Sequence, residues 1–157
     1  MSTPPVVVHE FTVPIRDWPQ DLAGLQIAHV SDFHFRRWNE TLRHAQNLLA
    51  TLDYDLLLVT GDFCSFRWKW RRATALTGRF LERIAQRPVY AVLGNHDDPR
   101  LADADLPLRF LRNESVSLDS LGAGLTLAGV DQSGRRTEDL DAALRSVPAG
   151  GVTILLA

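Results

Sequence analysis

A chain of 157 residues, 45% of them hydrophobic, is long enough to bury one core, so a single domain is expected. A formal net charge of −2 excludes a global positive field, so no nucleic-acid binding is expected and any partner must be recognised locally. One cysteine, Cys64, excludes an internal disulfide, and no run approaches the ~18 apolar residues of a membrane span; with no signal-like start in Met1 to Pro5, a soluble, cytoplasmic protein is the expectation.

Val6 to Val13 is rich in β-formers and reads as a first strand ended by Pro14. Leu25 to Val30 reads as a second, buried strand. Asn39 is suited to cap a helix reaching about Leu52, with Leu42, Ala45, Leu48, Leu49 and Leu52 on one face. Asp55 to Thr60 and Pro88 to Leu93 are near-continuous apolar runs, the pattern of strands covered on both faces. Between them Leu76, Phe80, Leu81 and Ile84 recur at helical spacing, predicting a helix over 74–86 weakened at Gly78. A helix is expected around Pro107 to Leu111. Val116 to Leu118 and Leu125 to Val130 form a hairpin pattern joined near Gly122-Ala123-Gly124. Asp139 to Ser146 reads as a short helix, and Gly151 to Leu156 as a last buried strand. A strand of that kind is expected inside a sheet with both faces covered, so the domain is expected to be truncated at its C-terminus.

Strand, helix, strand, helix, strand implies a parallel sheet, and ligands bind at the carboxyl ends of such strands. Three strand ends carry ligand-type residues: Asp32-Phe33-His34, Gly61-Asp62 and Gly94-Asn95-His96-Asp97. In extended chain, residues i and i+2 point the same way, so Asp32 and His34 present a carboxylate and an imidazole together. Asp62 has two oxygens, enough to touch two cations. Asn95 offers a neutral amide oxygen, and imidazole is the side chain suited to proton transfer near neutral pH, which marks His96. Mixed nitrogen and oxygen donors favour manganese, iron or zinc over calcium. Two such ions would clamp the attacking and leaving oxygens of a displacement at phosphorus.

In order and in strand context these three segments resemble the first three motifs of the calcineurin-like metallophosphoesterase superfamily. Ile27-Ala28-His29-Val30-Ser31-Asp32, Asn113-Glu114-Ser115-Val116 and Leu125 to Asp131 resemble its bacterial members, with similarity from about Gly24 onward. The resemblance implies an α/β sandwich of mixed β-sheets flanked by helices. It also implies two divalent or trivalent metal ions, with Asp32 and His34 on the first, Asp62 bridging and Asn95 on the second. His96 would contact phosphate and protonate the leaving group, and Asp97 would orient His96. The activity implied is hydrolysis of phosphate mono- or diesters; the alternative is a catalytically inactive relative serving as a binding or regulatory module. The superfamily's further histidines, one from a strand end and others from a Gly-His-x-His segment, have no counterpart in this sequence, so weak metal binding and little turnover are expected of this chain. An aspartyl-phosphate phosphatase would want an acidic residue where His34 stands, followed shortly by Thr, and this sequence has neither.

His9 and His44 are expected at the surface, and His29 under a helix. Cys64 is expected to be an inert thiol, and Asp131 either a turn residue or a neighbour of the site. Phe35-Arg36-Arg37-Trp38 and Phe66 to Arg72 concentrate cations and aromatics in loops at the strand-end edge. One reading is a wall for an anionic, partly apolar substrate such as a phospholipid or nucleotide-linked lipid, with peripheral membrane contact through Trp68 and Trp70. The other is a solvated helix start whose tryptophans pack locally.

Overall fold

A computed structural model describes residues 6–134 and 137–157. Four parallel strands, β1 (Ile27–Ser31), β2 (Leu56–Thr60), β3 (Val89–Val92) and β4 (Arg109–Phe110), lie side by side in chain order. Helices α1 (Glu40–Thr51) and α2 (Trp70–Leu81) connect the first three. A second sheet pairs β5 (Glu114–Ser117) antiparallel with β6 (Leu125–Gly129), and β6 parallel with β7 (Val152–Leu156). A short helix, α3 (Leu140–Leu144), packs on β5 and β6.

Alternation along β2 sorts the layers. Leu57 and Val59 face a core built with Leu42 and Leu49 of α1 and Ala73, Phe80 and Leu81 of α2. Leu56 and Leu58 face the opposite way, into a second core with Leu125 and Leu127 of β6 and Leu156 of β7. The parallel sheet is therefore sandwiched between helices and a second sheet, which accounts for the unbroken apolar run of β2. Asn39 caps α1 through its side chain, accepting from the Leu42 amide at 2.9 Å.

Four expectations are corrected. Val6 to Val13 forms no strand and joins no ladder among the described residues, and Val7, Val8, Phe11 and Val13 are exposed: β-propensity alone does not supply a partner strand. β1 is an edge strand whose Ile27, His29 and Ser31 face is open, so His29 is not under a helix; its Nε2 lies 2.7 Å from the Thr60 hydroxyl. The segment at 107–111 contains a strand, β4, because Pro107 precedes a two-residue ladder to β3 that buries Phe110. The last strand, β7, has one covered face: Leu156 is buried and Leu155 is exposed.

Helix α2 begins four residues before its expected start and gives way to turns after Leu81, with Ile84 still buried. A Cβ built on Gly78 would make only ordinary contact, 3.5 Å from Leu106 Cδ2. Gly78→Ala is therefore expected to stabilise the fold by about 0.5–1 kcal/mol, chiefly by restricting the unfolded chain, read as a rise in the urea midpoint at unchanged slope.

Candidate metal centre

The segments that follow β1 and β2 run on in parallel beyond the sheet. The amides of Asp32, His34 and Phe35 donate to the carbonyls of Gly61, Asp62 and Phe63 at 3.3, 2.8 and 2.7 Å. Within these segments polar and aromatic residues alternate. Phe35 and Phe63 are fully buried, and Phe33 stacks on Phe35 (4.7 Å between centroids) and meets Phe80 edge-on (4.8 Å). The phenylalanines anchor the loops in the helix-side core, and the intervening Asp32, His34 and Asp62 are left facing the cleft.

Those three residues share a further property. Asp32, His34 and Asp62 have φ of 56°, 43° and 54°, in the left-handed region that non-glycine residues seldom enter, and they make up three of the five such residues among those described. Strain of this kind persists only where the surroundings impose it, and it concentrates at functional sites. Donor atoms of the three lie within 4.8 Å of one another.

Histidine hydrogen bonding fixes what the cluster can do. His34 Nδ1 lies 3.1 Å from the Cys64 carbonyl oxygen, which only accepts, so the proton sits on Nδ1. Nε2 then faces Asp32 Oδ1 at 3.8 Å and Asp62 Oδ2 at 3.6 Å, beyond hydrogen-bond reach. A ring nitrogen set between two carboxylates calls for a positive charge among them, either a proton on Nε2 or a metal cation. Donors about 2.0–2.2 Å from one ion stand ~3–4 Å apart, which is the spacing seen, so the donor set fits a divalent metal.

Asn95 lines the same cleft as Asp32 and Asp62, together with Ser31, Thr60, Gly94, Gln132 and the end of β7 at Ala157; the cleft volume is about 250 Å³. Ser31, Thr60 and Gln132 escaped the sequence reading. The Ser31 hydroxyl lies 2.5 Å from Asp32 Oδ2 and 2.8 Å from the Thr60 carbonyl, holding the Asp32 carboxylate against the sheet edge. A small polar residue directly before a ligand was the available signal. Gln132 enters because its amide donates to the Leu93 carbonyl at 3.1 Å, bringing the β6 loop across from the second sheet.

His96 is exposed; its amide donates to Asp62 Oδ1 at 3.0 Å, and its ring stands 5.2 Å from that of His34, edge to face. Asp97, expected to orient His96, uses its carboxylate otherwise. It is fully buried and accepts from the amides of Cys64 (2.7 Å) and Gly94 (2.9 Å), tying the β2 loop to the β3 loop. Burial pushes its carboxyl above the usual range, and the amide bonds offset only part of that rise. Cys64 is equally buried, and burial, reinforced by the Asp97 charge, pushes its thiol up to about 12, as suits an inert side chain.

Asp131 belongs to a separate structural pair, 2.7 Å from Arg112 Nε. Burial opposes its charge, but the Ser133 hydrogen bonds and the Arg112 guanidinium hold its carboxyl below the usual range. A depressed folded-state value contributes stability above the unfolded carboxylate value and loses it as pH falls through the folded one. Asp131→Asn is expected to cost about 1.5–3 kcal/mol near neutral pH, toward the lower end because Arg112 is well exposed. The gap to the unaltered protein should narrow in acid, as measured by urea unfolding across pH.

No curated protein matches the chain closely enough to be named as a relative. The profile of the calcineurin-like phosphoesterase family matches residues 25–145, a span that opens just before β1 and holds the Asp32, His34, Asp62 and Asn95 loops. With the match covering most of its length, and a mixed α/β sandwich beneath it, the chain belongs to the calcineurin-like phosphoesterase family.

Proposed function

We propose that this cleft hydrolyses phosphate mono- or diesters with a pair of metal ions of the manganese, iron or zinc type. The observation that carries the reading is His34 Nε2 set between two carboxylates on strained backbone. Asp32 and His34 would hold one ion, Asp62 would reach both, and Asn95 would serve the second. The ions, when bound, supply Lewis acidity at the phosphoryl oxygens and a strong nucleophile near neutral pH.

The chain's own groups do the rest. Asp62 Oδ1 is held by the His96 amide, so the bridging carboxylate and the candidate proton donor are positioned as one unit. The His96 imidazole, exposed at the rim, is placed to meet a phosphate oxygen and give its proton to a departing alkoxide. Open, polar walls admit an ester without demanding a particular alcohol, in line with a broad class rather than one substrate.

The experiment is hydrolysis of bis(p-nitrophenyl) phosphate and p-nitrophenyl phosphate with manganese added and removed. Metal-dependent release of p-nitrophenol, abolished by chelator, is expected. Manganese binding without any release of p-nitrophenol would instead establish the inactive-module alternative.

A further inference from the structure

The geometry points to the turn at Phe66–Lys69, beside the metal cleft, as a docking surface for an anionic lipid bilayer. The two tryptophans of this segment have different surroundings. Trp70 packs on the helix-side core and lies between the guanidiniums of Arg71 (4.9 Å) and Arg100 (4.8 Å). Trp68 is 73% exposed and Phe66 46%, and the two rings stack on each other at 6.0 Å with no other aromatic partner among the described residues. Membrane contact therefore belongs to Phe66 and Trp68, not to Trp70.

Cations dominate the charge around this apolar tip. Lys69 Nζ lies over both rings, at 5.2 and 4.6 Å, and the Arg36 guanidinium lies over Phe66 at 5.7 Å. From Phe63 to Leu81 the sequence has five cations and no carboxylate, on a chain whose net charge is −2. Arg36, Lys69, Arg71 and Arg72 enter no ion pair among the described residues. An exposed Phe–Trp wedge ringed by unpaired cations matches an interface of acyl chains below anionic headgroups; each cation near such a surface is worth about fivefold in partitioning. A soluble polyanion would use the cations but leave the wedge in water.

The turn is tied to the catalytic edge. Arg67 Nε donates to the Asp97 carbonyl at 2.9 Å, and Arg36 Nε donates to the Ser65 hydroxyl, which donates to the His34 carbonyl at 2.6 Å. Docking here would hold the cleft mouth at the headgroup layer, where phosphate esters are concentrated.

The test is co-sedimentation with vesicles of phosphatidylglycerol and phosphatidylcholine against vesicles of phosphatidylcholine alone. Binding to the anionic vesicles is expected, weakened by salt, and at least tenfold weaker in the Phe66→Ala, Trp68→Ala double variant, whose exposed sites leave the circular dichroism spectrum unchanged. Lys69→Glu should weaken it separately. Absence of binding to anionic vesicles, binding indifferent to the double variant, or equal dependence on these residues for heparin would overturn the proposal. Asp62→Asn should bind vesicles normally, so failure of the metal reading and failure of this one are distinguishable.

Discussion

Asp62→Asn is expected to abolish any manganese-dependent turnover and to leave the fold intact. Asp62 is the residue on which the three loops converge: Oδ1 accepts from the His96 amide, Oδ2 faces His34, and its own carbonyl accepts from the His34 amide. Asn keeps much of this. Its side-chain oxygen still accepts from His96, and it tolerates the φ of 54° nearly as well as Asp, so neither the hydrogen bond nor the backbone gives way. What disappears is one negative charge, in a side chain only 14% exposed, from the point that would bridge two cations. Loss of a ligand's hydrogen-bond partner costs ~10–100-fold in metal affinity, and loss of a bridging ligand's charge should exceed that. Thermal melting separates the effects. Manganese should raise the melting temperature of the unaltered protein by mass action and leave that of Asp62→Asn unmoved. Without metal the variant should melt no lower than the parent, because the carboxylate pair is repulsive while no cation lies between. A melting temperature that rises equally with manganese in both proteins would place the metal elsewhere.

The candidate ligand residues were legible because they stand at the ends of recognisable strands. An Asp-x-His at the end of a strand keeps two donors two residues apart, although left-handed backbone at both, and not an extended chain, sets how they meet; the apolar runs of β2 and β3 identify the strands that carry the neighbouring donors. Features set by long-range partners were not legible. Which strand lies at a sheet edge depends on neighbours remote in sequence, so β1 read as buried and His29 as covered, although both face outward. Asp97 read as a partner for the adjacent His96, whereas its real partners include the Cys64 amide 33 residues earlier, which no local spacing reports. Trp68 and Trp70 read as equivalent, yet α2 begins between them, and the change of backbone at its start sends one ring to the core and the other to solvent. The two-residue ladder of β4 is too short to show an alternation, and the Leu-Pro-Leu before it resembles a helix start as readily as a strand.

The strain at the ligands depends on a pair of glycines that nothing larger can replace. Gly61 has φ of 72°, and a Cβ there would lie 2.6 Å from the Gly94 nitrogen and 2.7 Å from its Cα, both backbone atoms of a loop tied down by Asp97. Gly61→Ala thus carries two costs: about 1–2 kcal/mol for left-handed backbone and about 1–3 kcal/mol for forcing the loops apart. Together they predict a loss of roughly 2–5 kcal/mol, or about 5–15 °C in melting temperature for a chain of this size. Gly94→Ala acts differently. Gly94 has no left-handed requirement, but its Cβ would lie 2.3 Å from Asp62 Oδ1 and 2.5 Å from the Asp62 nitrogen. The clash falls on the Asp62 backbone and on the carboxylate that would bridge the ions, so metal affinity should suffer as well as stability. The expected pattern is therefore crossed: Gly61→Ala lowers the metal-free melting temperature more, and Gly94→Ala lowers the manganese-induced rise more. Equal effects of the two on both readouts would mean that the glycines only space the loops, and that the Asp62 carboxylate has no fixed position to lose.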